Sequence, residues 1–306
     1  MANETTFTGS GANLRAAEVF NAAIWEMLTD SVDIRSTGLR LGDVGGSGSD
    51  TLTTAQVTFD DPMTAQTGAD EVTPADNTAI TNASLSLSVA QQIISYAMTD
   101  KLMITGSAGQ LDLSRLARAA SDAYILRLTD MACGVIDGFA TTAGTTTVDL
   151  TVDDWFSAMF SLEQNIVPGP YSAVLFPTQY TDLQASLRSE GGSVSFMPAT
   201  AEQLTLRGPG FKGSYLGVEI WTSDSVVTAN ADADSAGAMM GLGAWGYLEA
   251  SARGTLPGSI AAPAASPVYA EFSRLADPGE TQVVAHAFCA VSLVEDLRGV
   301  SIITDR

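Results

Sequence analysis

Lysine is almost missing from this sequence. Of its 306 residues only Lys101 and Lys212 are lysine, and 14 cationic residues face 35 acidic ones, a formal net charge of −21. That excludes a protein that grips nucleic acid over a broad basic surface. It leaves two readings: solubility through an acidic surface, or adaptation to a salty setting in which screening weakens self-repulsion. Cysteine is equally scarce. Cys133 and Cys289 lie far apart in apolar runs, so two buried free thiols in a reducing compartment are expected, and no disulfide framework. No apolar run approaches the roughly 20 residues of a membrane-spanning helix, so no membrane partner is expected. The opening stretch, MANETTFTGSGAN, lacks a basic region followed by an apolar one, so no signal peptide is expected. There is one histidine, His286. Without a cysteine–histidine cluster there is no zinc site. A serine hydrolase would have to use that single histidine with no G-x-S-x-G elbow.

What is present is a 45% hydrophobic chain rich in glycine, 28 residues of it, with a real core. Several motifs invite a chemical reading and fail on their own terms. GLGAWG, residues 241–246, has the spelling of a dinucleotide-binding loop. It lies late in the chain, and the YLEASARGTLPG that follows cannot supply the required helix. Small residues that let a strand pack closely account for it better. NADADSAGAMMG, 230–241, matches a calcium loop at Asn230, Asp232 and Asp234. It then places Ser235 at the glycine position and Gly241 at the closing acid. His286 and Cys289 sit three apart in a strand-like run and face opposite sides. Asp60–Asp61 and Asp153–Asp154 read as loop and helix-start acids. RGPGFKG, 207–213, lacks the G-K-[ST] of a phosphate loop and reads as a mobile loop. No catalytic residue, metal ligand or cofactor is assigned.

The order of elements carries more. Residues 13–29 predict an amphipathic helix with Phe20, Ala23, Ile24 and Met27 on one face. The glycine/serine stretch 42–50 reads as a hinge, with Gly45, Gly46 and Gly48 as its pivots. Alternation then takes over. Ala55, Val57 and Phe59 alternate with polar residues, and in ASLSLSV the residues Ala83, Leu85, Leu87 and Val89 share one face. Residues 60–82 between these runs are polar and turn-rich. A lone two-stranded excursion is barely stable in water, so Phe59, Ala83, Leu85, Leu87 and Val89 are the expected contacts to a neighbouring subunit. Residues 112–139 predict a helix opened by Asp112, roughly 40 Å long, with Leu113, Leu116, Ala120, Tyr124, Leu128, Met131, Val135 and Phe139 in register. A helix over 153–165, a strand at 172–176, a helix from Pro177, a glycine-rich loop over 189–213 and a strand YLGVEIWTS follow. An apolar segment over 236–250 and the strands 268–275, 281–294 and GVSIIT close the chain. No internal repeat is found.

Taken in order, and with the passage DDWFSAMFSLEQNIVPGPYSAVLFPTQYTDLQASL and the later YLGVEIWTSDSV, this chain resembles the major capsid proteins of tailed bacteriophages, a shell fold shared with encapsulins and the floor of herpesvirus capsids. The resemblance implies an α+β fold with five segments: an N-terminal arm and helix at 1–40, an extended two-stranded loop at 41–100, a peripheral domain with a long spine helix at 101–149, an axial domain at 150–262, and return strands of the peripheral domain at 263–306. It also implies a non-enzymatic subunit that partners itself, as homo-pentamers and homo-hexamers, in an icosahedral shell around viral double-stranded DNA held without sequence-specific contact. A separate scaffolding protein, a portal and a decoration protein are the further partners it implies. The location would be the virion capsid, assembled in the host cytoplasm. Residues 41–100 hold no lysine, so the covalent lysine cross-link of some relatives is not expected. An encapsulin-type compartment and a self-associating surface protein are the alternative readings.

Overall fold

The computed structural model describes residues 34–58, 81–99, 113–189, 196–208, 210–251, 266–275 and 279–306. The expected helix at 13–29, Phe59, most of the 60–82 stretch and the Asp112 cap lie outside them. In chain order, a 3-10 turn at Ile34–Thr37 leads to β1 (Leu39–Asp43), β2 (Thr51–Thr58), β3 (Thr81–Ser88) and β4 (Ala90–Thr99). Then come α1 (Leu113–Ile136), β5 (Thr142–Ala143), α2 (Val152–Gln164), β6 (Tyr171–Leu175) and α3 (Pro177–Ser189). Next are β7 (Phe196–Pro198), α4 (Ala201–Arg207), β8 (Phe211–Tyr215), β9 (Val218–Thr222) and β10 (Thr228–Ala229). The chain ends with β11 (Asp234–Gly241), β12 (Trp245–Glu249), β13 (Val268–Leu275), β14 (Glu280–Leu293) and β15 (Gly299–Asp305).

The helices begin where local chemistry starts them. Thr151 caps α2, and Asp154 returns a side-chain bond to the Thr151 backbone, a full capping box that satisfies two otherwise orphaned N–H groups. Asp153 and Asp154 sit in the first turn, where the helix dipole favours acids. Pro177 opens α3, where its fixed φ suits the first turn and its missing N–H is not needed.

Two large sheets form. The first runs β1-β12-β14-β13, with β4 along the other edge of β14. The second runs β5-β15-β11-β6-β9-β8-β7, with β10 on β11. A two-stranded sheet, β2 and β3, stands apart from both. Helix α1 joins the two cores. Its Ala117, Ala120, Tyr124 and Leu128 pack on Val283, Ala285, Ala287 and Cys289 of β14. One turn further on, Ala132, Cys133 and Ile136 meet Val174, Ala238, Met240 and Trp245. The alanines matter because small side chains on facing surfaces let helix and sheet approach closely. The second sheet has its own core, in which Trp155 and Leu162 of α2 and Leu183 and Leu187 of α3 cover Ile220, Met239, Val300 and Ile302.

Four sequence-based boundaries shift. The long helix ends at Ile136, and Phe139 follows it as a buried residue that covers Gly299. The stretch read as loop, 189–213, contains β7, α4 and the start of β8. YLGVEIWTS is two strands, because Leu216 at φ 51° and Gly217 at φ 83° reverse the chain; two successive left-handed residues make a tight hairpin turn. Finally, the sheets do not divide the chain at 262/263: β12 belongs to the first sheet, and β15 pairs with β11 and β5 in the second.

Candidate assembly surfaces

The β2–β3 hairpin pairs from Thr51↔Ser88 to Thr58↔Thr81 without a bulge. Its serine and threonine face is wet, and Thr51 and Ser88 bridge their hydroxyls at 2.6 Å. The apolar face expected to meet a neighbour is partly used at home. Leu87 is buried with Val44, Leu248 and Ala290, and Leu41, Leu52, Leu85 and Val89 pack around them. The hairpin is therefore rooted in the first sheet by its base. Phe59 lies outside the described residues, and Ala83 lies in β3 towards the far end of the ladder. Beyond its root the hairpin pairs with no third strand among the described residues.

The glycine stretch before it is a built turn. The Val44 N–H donates to the Glu249 carbonyl at 3.0 Å, and the Asp43 carboxylate accepts from the Gly45 and Ser251 N–H groups, each at 2.8 Å. A side chain on Gly45 would run into the Ser251 carbonyl. Gly46 and Gly48 take φ 77° and 78°, the left-handed region that glycine enters without cost. Gly48 has open space around it.

Beside this turn lies a buried acid that sequence reading missed. Glu249, 4% exposed, accepts the Tyr124 hydroxyl at 2.6 Å and pairs with Arg40 at 3.1 Å. One carboxylate thus ties β1, β12 and α1 together. Burial, the Glu249 charge and the hydrogen bond to it push the Tyr124 hydroxyl well above its usual range. A second such device is Gln179, fully buried at the start of α3. Its side-chain oxygen accepts from the Phe176 N–H at 3.0 Å, and its amide donates to the Ser235 carbonyl at 2.9 Å and to Thr304 Oγ1 at 2.9 Å. The only sequence signal for either is a polar residue at an apolar-periodic position.

The chemical candidates resolve into architecture. GLGAWG is the end of β11, a turn with Gly243 at φ 88°, and the start of β12. A Cβ on Gly246 would lie 2.8 Å from Leu41 Cγ and 2.9 Å from the Leu39 carbonyl oxygen, so this glycine admits the parallel neighbour β1. In the calcium-like loop the Asn230 amide donates to Asp234, and Asp232 accepts from Thr228 at 2.5 Å. The acids there serve a turn whose residues 230–232 are all left-handed. His286 stacks on Tyr269 with ring centroids 5.1 Å apart, and its Nδ1 lies 3.1 Å from Gln91 Nε2. Cys289 points to the opposite face, under α1. Burial pushes the Cys133 thiol up to about 12 and the Cys289 thiol to about 11. Arg207 of RGPGFKG pairs with Glu219 and lies over the Phe211 ring, 4.8 Å from its centroid. Among the described residues no group of acids, histidine and cysteine converges on a metal position, and no helix is long and apolar enough to cross a membrane.

No family model matches this chain, and no curated protein matches it by sequence. Its structure does find relatives. It is similar to the holo-SrpI encapsulin of Synechococcus elongatus PCC 7942, at 14% identity over 87% of this chain and 85% of that one, with a TM-score of 0.61. It is similar to the capsid of the cyanophage P-SCSP1u, at 12% identity over 88% and 86%, TM-score 0.57. It is similar to the capsid of Ralstonia phage GP4, at 15% identity over 88% and 86%, TM-score 0.56. The fold of this chain is that of phage capsid and encapsulin shell subunits.

Proposed function

We propose that this protein is a major capsid protein, a structural subunit that assembles with copies of itself as pentamers and hexamers into an icosahedral shell around viral double-stranded DNA. The observation that carries this reading is the likeness to shell subunits over most of both chains. The anatomy supports it. A projecting hairpin, a 24-residue helix and a glycine-bearing turn make a subunit whose function is geometry. In this reading residues 41–100 form the extended loop, which acts as an arm towards a neighbour, with α1 as the spine of a peripheral domain and 150–262 as an axial domain. The far end of the hairpin lies across a neighbour, while Leu85, Leu87 and Val89 root it. Gly46 and Gly48 are the pivot that lets one sequence hold slightly different arm angles, and Gly45 is clamped. Arm contacts of this kind are worth about 25 cal/mol per Å² of apolar area removed from water, and closure makes many of them act together. The acidic balance keeps the inner wall from gripping DNA. A scaffolding protein, a portal and a decoration protein complete the assembly, in the host cytoplasm. No catalytic step belongs to this function.

Electron microscopy of the purified particle together with a nucleic-acid assay tests this. Closed icosahedral shells that hold DNA are the expected result. The likeness to the encapsulin favours a second reading, a protein compartment of the same fold. Closed shells that hold cargo protein and no DNA would establish that reading instead. A subunit that forms no shell, with scaffold supplied, would overturn both.

A further inference from the structure

Two clusters of large apolar side chains stay exposed at opposite edges of the second sheet. At one edge, α2 packs against β5 and β15 and turns Phe156 and Phe160 outward, one helical turn apart. Phe160 is 65% exposed. The helix ends in a Schellman motif: the Val167 N–H reaches the Leu162 carbonyl at 3.1 Å, and the Ile166 N–H reaches that of Glu163 at 3.0 Å. The left-handed position of that motif, usually glycine, holds Ile166 at φ 55°. A β-branched residue is strained there. Ile166 recovers nothing inside the subunit, since it is 88% exposed. At the other edge, β7 and α4 expose Met197, Leu204 and Leu206. Both clusters stay exposed in the subunit, so neither covers the other.

Charge selects how they meet between subunits. Asp153 and Glu163 are exposed on α2, whereas at the other edge Arg207 and Lys212 balance Glu202 and Glu219, Arg207 being paired with Glu219. A symmetric contact of α2 on α2 would crowd four acids together in a chain of net charge −21. A head-to-tail contact sets the acids on an edge whose charges balance and covers both clusters at once. Repeated head-to-tail contacts close into a ring when the rotation between copies closes. We propose that the Phe156–Phe160–Ile166 face of one subunit docks on the β7–α4 edge of the next copy of this chain. It would be the ring contact of the capsomer, and it rests on the shell reading above.

Particles carrying Phe160→Cys and Met197→Cys, treated with a short bismaleimide, test the contact. A ladder reaching five and six chains is expected on a denaturing gel, with the buried Cys133 and Cys289 unmodified. Particles without a ladder, or dimers from Phe160→Cys alone, overturn the contact and leave the shell reading standing. A wild-type chain that never forms particles takes down both. Ile166→Gly provides a second readout that a folding defect cannot mimic. It should raise the melting temperature of the unassembled subunit and raise the concentration needed for particles at least tenfold. Unchanged assembly overturns the role of Ile166, as does a less stable subunit. Should the double variant form no particles, this measurement decides.

Discussion

Single residues hold the subunit together: a buried acid that the main sequence patterns do not display, and two buried thiols that they do. Glu249 is buried, and its two partners, Tyr124 and Arg40, come from distant stretches of the chain. Removing the hydroxyl by Tyr124→Phe leaves the carboxylate short of a donor. A loss of about 1–3 kcal/mol is expected in the denaturant unfolding of the unassembled subunit. The thiols give a pH signature. Both have folded pKa values raised above the ordinary value near 9, to about 12 and about 11. Below pH 9 both states keep the proton and stability is full. As pH rises further the unfolded chain loses protons first, so stability falls until the folded thiols also ionise. Burial of Tyr124 acts in the same direction. Urea titrations between pH 8 and 11 should therefore show a falling midpoint, with a shallower fall in a Cys133→Ala, Cys289→Ala variant. The thiols were legible because each sits among apolar neighbours. Glu249 and Gln179 were not, because their partners are set by tertiary pairing.

Elements with one strong period were the easiest to read. Ala120, Tyr124 and Leu128 of the α1 stripe, the alternation of β2 and β3 and the two long strands β13 and β14 fall where the pattern puts them, whereas the stripe's last member, Phe139, lies beyond the helix end. Reading failed where glycine is dense. Gly208, Gly213 and Gly217 have positive φ and let short pieces, β7, α4, β8 and β9, follow one another with almost no linker. In Y-L-G-V the turn is hidden because apolar residues flank it on both sides. GLGAWG was read correctly as a packing segment, although not as a turn between two sheets. Its glycine at 246 gives a sharp test. Gly246→Ala forces a methyl against Leu41 and the Leu39 carbonyl, and the backbone on one side must move. The expected outcome is a less stable subunit with faster hydrogen exchange at the β1 amides. Protection of β1 equal to wild type would show that the close approach is not needed.

At the scale of the whole molecule, the fold was legible from the order of elements, since no single motif specifies it. The contact surfaces were only partly legible, because Leu87 looks the same in sequence whether it meets its own sheet or a neighbour's. Deletion of 60–80, with a short turn joining β2 to β3, separates these uses. The root cluster stays intact, so the subunit should fold with an unchanged melting temperature. Closed shells should be lost, as read by sedimentation and microscopy. Normal shells from this variant would remove the arm from the assembly mechanism.

The hairpin also has a mechanical side. β3 passes through the single residue Val89 into β4, whose register with β14 runs unbroken from Ala90↔Cys289 to Thr99↔Glu280. A pull on the arm along β3 travels down one covalent strand. It loads that ladder lengthwise, at right angles to its hydrogen bonds. The bonds share such a load together, whereas in a ladder peeled from its end they would break singly and in turn. In the proposed shell, the joint between hairpin and body is thus strongest against a neighbour that pulls along β3.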